Sequence, residues 1–120
     1  NLPETAGKEA LNGTVFCNLY SPDDTSDLNK NFVAEYQKMF NAKPDVFAAL
    51  AHDSAMAIVK SIEDAKSADP AKVAQAMAKI KDLQGVSGAI TFDDKHNPIK
   101  SAVIIEHVDG KQTFKTKINP

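Results

Sequence analysis

Cysteine is almost absent from the sequence: Cys17 is the only one in 120 residues, so no disulfide can form within the chain. Exported bacterial proteins can also lack disulfides, so this scarcity leaves the redox compartment open. Cys17 lies in an apolar run, residues 14–17, and this position predicts a buried, inert thiol.

Long apolar runs and an excess of basic residues are also missing. No stretch approaches the about 18 consecutive apolar residues of a membrane-spanning helix. The sequence opens without a signal peptide, so we expect an exported parent to have lost its targeting segment or to carry it far upstream. A net charge of -2, with lysines interspersed among acidic residues, argues against a nucleic acid or an anionic membrane as partner.

What is present is ordinary globular composition with a clear alternation of periods. Hydrophobic residues make up 42% and charged residues 25%, which is enough for a core without metals or disulfides. Residues 13–20 are rich in β-branched and aromatic side chains and predict a strand that ends at Pro22. Strands are predicted again at residues 89–92, 102–108 and 112–117, the last two joined by a turn at Asp109-Gly110.

Three helices are predicted between these strands. The first begins near Ser26 and ends at residues 41–44, and the second runs over residues 45–65. The third begins after Asp69, which provides an N-cap, with Pro70 at the first helical position. The side chains expected to face inward are, for the three helices in turn, Leu28, Phe32, Tyr36, Met39 and Phe40; Phe47, Leu50, Ala51, Ser54, Ile58 and Ile62; and Val73, Ala76, Met77 and Ile80.

Two segments carry a resemblance to a known family. Residues 48–55, AALAHDSA, resemble the A-x-x-Y-D-A helix start of periplasmic binding proteins similar to the leucine/isoleucine/valine-binding protein. Residues 85–93, GVSGAITFD, resemble the G-x-x-G-x-x-x-F-D element of the same family, which a strand and a closing hairpin follow. The chain departs from the family pattern at His52 in place of tyrosine, at Ser54 in place of alanine, and at His96-Asn97.

The resemblance implies an α/β fold, part of a two-lobe type I periplasmic-binding-protein fold, with a parallel sheet flanked by helices and a short C-terminal hairpin. It implies that the chain is a C-terminal piece containing neither lobe complete. Residues 1–20 would end the C-terminal lobe, residues 21–100 would belong to the N-terminal lobe, and residues 101–120 would cross back.

Four candidate ligand-binding residues follow from the same resemblance, which places the edge of the cleft near them: Tyr20, Phe47, Ala49 and His52. Related proteins set an aromatic ring against the apolar part of the ligand, and the aligned position here carries Ala49, with Phe47 two residues earlier. For each of the four, the alternative is a role in packing alone.

The resemblance also implies a function. We expect the solute-binding component of an ABC transporter, which captures a branched-chain amino acid or similar small polar ligand by hinge closure and delivers it to an ABC permease. A ligand-sensing ectodomain of the same fold is an alternative, and a small α/β hydrolase and a plain interaction module are two others. The location implied is periplasmic or extracellular, with a membrane-anchored lipoprotein as one form. We predict no cofactor, and we expect the isolated piece to self-associate or domain-swap.

Catalysis and metal binding each have one pattern in their favour. His52-Asp53-Ser54 contains the residue types of a hydrolase triad, but consecutive helical side chains point about 100° apart, so His52 cannot bond both neighbours. Residues 93–97 suggest a calcium loop, but Ile104 stands where an EF-hand needs glutamate. The histidines are scattered and lack a cysteine pair. We therefore predict a non-enzyme without a metal, and a solvated turn at residues 93–97.

Overall fold

Three long helices lie between one strand and a run of five strands in the computed structural model, which describes residues 2–120. In chain order, the elements are α1 (Leu2–Ala6), α2 (Lys8–Leu11), β1 (Val15–Asn18), α3 (Asp27–Phe40), α4 (Val46–Ala65), α5 (Pro70–Met77), β2 (Leu83–Gly85), β3 (Gly88–Phe92), β4 (Pro98–Lys100), β5 (Ala102–Val108) and β6 (Lys111–Ile118). The three predicted helices are confirmed, as are the strands at β1, β3, β5 and β6. The sequence analysis missed α1, α2, β2 and β4, which are too short to show a period.

Side-chain caps fix where the three long helices begin. Ser26, Asp45 and Asp69 each accept a hydrogen bond from the backbone N–H three residues ahead, which satisfies a donor that the first helical turn leaves free. At the other end, Asn41 and Lys66 adopt left-handed backbone conformations that stop α3 and α4. These boundaries depend on local chemistry, and for this reason the sequence predicted them.

The strands form two separate sheets, with orders β1-β5-β6 and β2-β3-β4. All four pairings among the described residues are antiparallel, so the parallel sheet expected above is not formed within this part of the chain. Two-residue turns join β2 to β3 and β5 to β6, and a parallel pair would need a crossover of about a dozen residues. The β5–β6 hairpin is confirmed, with a register shift after Ile104.

The buried face of α4 differs from the predicted one. The residues that are buried along it are small or polar and lie four apart: Ala49, Asp53, Ala57 and Ser61. Phe47, Ile58 and Ile62, which we expected to face inward, are exposed. Small side chains let α4 approach α5 and β2 closely, and this close approach decides which face is covered.

The aromatic face of α3 is also open. Its rings form a row, with centroid distances of 5.8 Å between Phe32 and Tyr36 and 4.6 Å between Tyr36 and Phe40. Met39 and Phe40 are nevertheless exposed, so the predicted apolar face exists but lacks a covering layer within residues 2–120. The prediction of a buried Cys17 is wrong, because its side of β1 faces outward and the thiol is exposed.

A buried carboxylate joins α4 to the turn between β2 and β3. Asp53, 1% exposed, accepts hydrogen bonds from the backbone N–H groups of Val86 at 2.7 Å and Ser87 at 2.9 Å, and from the Ser87 hydroxyl. Lys100 Nζ lies 3.8 Å from Asp53 Oδ2, and burial lowers the pKa of this lysine while Asp53 opposes the shift. The two family-like segments are therefore in direct contact.

Gly85 makes this contact possible. A Cβ at this position would stand 2.6 Å from the Asp53 carboxylate, a distance that no side chain can accept without displacing the buried group. A glycine at the end of β2 thus allows the helix and the turn to come together.

Asp53→Asn should lower the free energy of unfolding by about 3 kcal/mol, because an amide cannot accept from all of these donors and leaves Lys100 without its counter-charge. Asp64→Asn is the matched control, since Asp64 pairs with Lys60 on the exposed face of the same helix. The control should cost about 0.5 kcal/mol or less. Urea denaturation followed by circular dichroism measures both, and equal losses would contradict the assignment.

Candidate functional site

The chain passes between the two sheets twice, and the candidate site lies at the first passage. Residues 19–26 lead from β1 to α3, and Ser101 leads from β4 back to β5. At the first passage is a recess of about 340 Å³, here called the crossing recess; its lining includes Tyr20, Ser21, Asp23, Asp45 and Gln112. Its walls therefore come from the crossing segment, from the start of α4 and from β6.

Tyr20 is one of the residues that line this recess. The residue is 3% exposed, and its hydroxyl has no hydrogen-bond partner among the described residues. Its ring meets Phe32 edge-on at 6.3 Å between centroids. Burial raises the pKa of Tyr20 well above its usual range, and the nearby carboxylates of Asp24, Asp23 and Asp53 raise it further. The hydroxyl is thus a permanent donor at neutral pH, and buried donors without an acceptor are uncommon.

Ala49 and Phe47, two residues apart, occupy opposite environments. Ala49 is 0% exposed and packs in one cluster with Tyr20 and Val86. Phe47 is 76% exposed and lies one residue into α4, beyond the Asp45 N-cap. The open ring at this position can be covered by a ligand or by another part of the protein, whereas Ala49 has no free surface to offer.

His52 faces a different recess. Its ring centroid lies 5.0 Å from that of Phe32, and its Nδ1 is 3.4 Å from Asp53 Oδ1. With the aromatic row of α3 it lines an apolar hollow of about 420 Å³, here called the α3 recess. The structure therefore does not gather the four candidate residues: Tyr20 lines the crossing recess, His52 lines the α3 recess, and Ala49 lies in the core.

The triad-like sequence around His52 has no catalytic geometry. Ser54 donates its hydroxyl hydrogen to Leu50 O at 2.7 Å, and Asp53 is bound to the turn at Val86 and Ser87. Asp53 and Ser54 therefore satisfy backbone groups instead of contacting each other. A serine that neither contacts a base nor faces a recess cannot serve as a nucleophile.

The acidic turn at residues 93–97 satisfies itself. Asp93 accepts from the backbone N–H groups of Asn97 at 2.8 Å and Lys95 at 2.9 Å, and from the Asn97 side chain at 3.2 Å. These bonds, those from Asn97 first, hold the pKa of Asp93 below its usual range. The predicted solvated turn is confirmed.

Asn29 is the residue at the crossing that sequence reasoning missed. Its side chain is 0% exposed, and its amide donates to the carbonyls of Ser21 at 3.4 Å, Pro22 at 3.1 Å and Asp24 at 2.8 Å. It holds the crossing segment against the start of α3. An asparagine three residues after a helix N-cap gives no sequence signal for this role.

Ala49→Trp should destabilise the protein by about 1–3 kcal/mol, because an overfilled core forces its neighbours apart. Phe47→Ala should leave the melting temperature almost unchanged, since most of this ring is already in solvent. Differential scanning calorimetry without ligand compares the two variants. An undisturbed melting temperature in Ala49→Trp would show that Ala49 borders open space.

Comparison with known proteins gives a family match along nearly the whole chain: residues 1–113 fit the model of the periplasmic binding proteins. A leucine-binding protein from Thermotoga maritima is 34% identical, with a TM-score of 0.83 over 99% of this chain and 34% of its own. The branched-chain amino acid transporter substrate-binding protein of Streptococcus pneumoniae, in complex with isoleucine, is 29% identical, with a TM-score of 0.79 over 98% of this chain and 34% of its own.

A solute-binding protein from R. palustris in complex with benzoate has a TM-score of 0.78 at 24% identity, over 98% of this chain and 33% of its own, and shows the likeness of fold alone. The present chain thus spans about a third of the length of the structures it matches.

The matches confirm the mixed α/β, type I periplasmic-binding-protein fold. The relatives are solute-binding proteins and not enzymes, which confirms the prediction of a non-enzyme. Members of the family are typically periplasmic or extracellular, and no helix among residues 2–120 is long and apolar enough to cross a membrane. The chain belongs to the family of periplasmic binding proteins.

Proposed function

We propose that the full-length protein is the solute-binding component of an ABC transporter and captures a branched-chain amino acid or a similar small polar ligand by closure of two lobes. Support comes from the 34% identity to a leucine-binding protein and from the isoleucine complex of another relative. In such a mechanism the ligand contacts both lobes and favours the closed state by its higher affinity for it.

The crossing recess is the observation that carries this proposal. It lies where the chain passes from one sheet to α3, and its lining includes Tyr20, Ser21, Asp23 and Gln112. A ligand held between two lobes would contact such a passage, and polar side chains that line a pocket fix the orientation of a polar ligand.

The two sheets support an assignment of the chain to lobes. We assign residues 1–20 and 101–120, which contribute β1, β5 and β6, to the C-terminal lobe. Residues 21–100, which contain α3 to α5 and β2 to β4, are assigned to the N-terminal lobe. Residues 19–26 and Ser101 then form part of the hinge.

Among the four candidate residues, two are favoured for direct contact. Tyr20 is favoured because it lines the crossing recess, and Phe47 because its exposed ring can pack against the apolar part of the ligand. In this proposal Ala49 supports the ring of Tyr20 from within the core, and His52 supports Phe32. The role assigned to these last two is packing that keeps the recess in shape.

The proposal includes a membrane partner. A solute-binding component passes its ligand to the permease of its ABC transporter, so we propose a docking interaction with that permease. The protein would act in the periplasm or outside the cell, either free or anchored as a lipoprotein.

Phe47→Ala in the full-length protein should weaken the binding of leucine and isoleucine by about tenfold, because an exposed aromatic anchor contributes more than about 1 kcal/mol when a ligand covers it. Isothermal titration calorimetry measures the affinities. Phe40→Ala is the control, since Phe40 is an exposed ring on α3 that lines the α3 recess and not the crossing recess. Unchanged affinity in Phe47→Ala, or an equal loss in Phe40→Ala, would contradict the role of Phe47.

The isolated 120-residue chain should self-associate. Met39, Phe40, Ile58 and Val59 are exposed on α3 and α4, and apolar patches without cover promote association. Light scattering after gel filtration should give a mass above 12.9 kDa that rises with concentration. Aspartate in place of both Met39 and Phe40 should shift the mass towards the monomer, and a monomer of the unmodified chain at high concentration would contradict the expectation.

A further inference from the structure

One ion pair spans the junction between the two sheets. Lys117 lies on β6 and pairs across the strands with Val103, so it belongs to the first sheet. Its Nζ is 3.0 Å from Oδ2 of Asp24, which belongs to the crossing segment, residues 19–26. The Asp24 side chain is 10% exposed and the Lys117 side chain 27%, so the contact is partly shielded from water and salt weakens it less than a fully exposed pair.

The second oxygen of Asp24 is tied to α3. Oδ1 accepts from the backbone N–H of Ser26, the N-cap of that helix, at 2.9 Å. The Asp24 carbonyl accepts from the buried Asn29 amide at 2.8 Å. Asp24 therefore connects β6, in the first sheet, to α3, the first helix after the crossing segment.

Lys117 also lies against the second sheet. A Cβ placed on Gly88, the first residue of β3, would stand 3.4 Å from Lys117 Cε and 3.5 Å from its Nζ. The same position would meet the hydroxyl of Ser101, the residue at which the chain returns to the first sheet. One lysine side chain thus touches the first crossing and approaches the second.

The charges around the pair keep it ionised. Burial by itself raises the pKa of Asp24, but hydrogen bonds with the backbone N–H and the side chain of Ser26, together with Lys117, outweigh it and hold this pKa below its usual range. A carboxyl with a lowered pKa keeps its interaction at neutral pH and loses it only as the pH falls through that pKa. Lys100 is a second cation nearby, bound to Asp53, and Asp23 is engaged by Lys43 at 3.9 Å.

We propose that the Asp24–Lys117 pair is a clamp that makes the two crossings move as one unit and limits how far the lobes open without ligand. The clamp rests on the lobe closure proposed above. Loss of either charge frees the crossing segment from β6, so the unliganded protein samples a wider range of lobe separations.

The test uses the full-length protein with Cys17→Ser and any other cysteines replaced, spin-labelled at Lys111→Cys on β6 and Asp64→Cys on α4. Pulsed dipolar spectroscopy without ligand gives the distribution of label distances. Lys117→Met and Asp24→Asn should each broaden this distribution by about twofold, because the minor open states gain population. Lys117→Arg keeps the charge and should resemble the unmodified protein.

Lys115→Met is the matched control, since Lys115 pairs with Glu106 at 3.1 Å within the first sheet and does not span the junction. Its distribution should stay unchanged. The clamp is overturned if Lys117→Met and Asp24→Asn lower only the melting temperature, or if Lys115→Met broadens the distribution equally. If both clamp variants broaden it while leucine and isoleucine never narrow it, the clamp stands and the proposed ligand class fails.

Discussion

The buried carboxylate of Asp53 is the contact on which the arrangement of α4 and the second sheet depends. A charge that is 1% exposed needs several donors, and the turn at Val86 and Ser87 provides them in one place. The helix therefore cannot rotate or slide without leaving that charge unpaired. The position of Phe47 at the start of α4, and of Tyr20 against Ala49, follows from this fixed helix.

Local chemistry explains how much of the fold could be predicted. The caps at Ser26, Asp45 and Asp69, and the strands rich in β-branched residues, act within a few positions of one another and can be read in the sequence. The faces of the helices could not be read in the same way. Hydrophobic periodicity predicts a covered face, but what covers that face depends on the whole protein. The relatives are about three times as long as this chain, so the covering elements can lie outside it.

The candidate site was predictable to a smaller extent. Resemblance directed attention to the crossing at Tyr20 and to the start of α4, and both lie beside recesses or open surface. The resemblance could not show that Phe47 is exposed and Ala49 buried. The two side chains point in different directions from the same helix, and only the packing of that helix decides which direction is covered. Asn29 and Lys117 escaped notice because their partners are distant in sequence or are backbone carbonyls, which no residue pattern indicates.

The pairing of β1 with β5 has a consequence for the order of folding. Val15 pairs with Glu106, near the other end of the chain, so β1 emerges from the ribosome long before its partner exists. α3, α4 and α5 are synthesised in between and can form from local contacts, whereas the first sheet must wait for the closure of a long loop. During that interval β1 presents an unpaired edge with an exposed Val15 and Cys17. An unpaired strand edge of this kind makes a partly folded chain prone to aggregation.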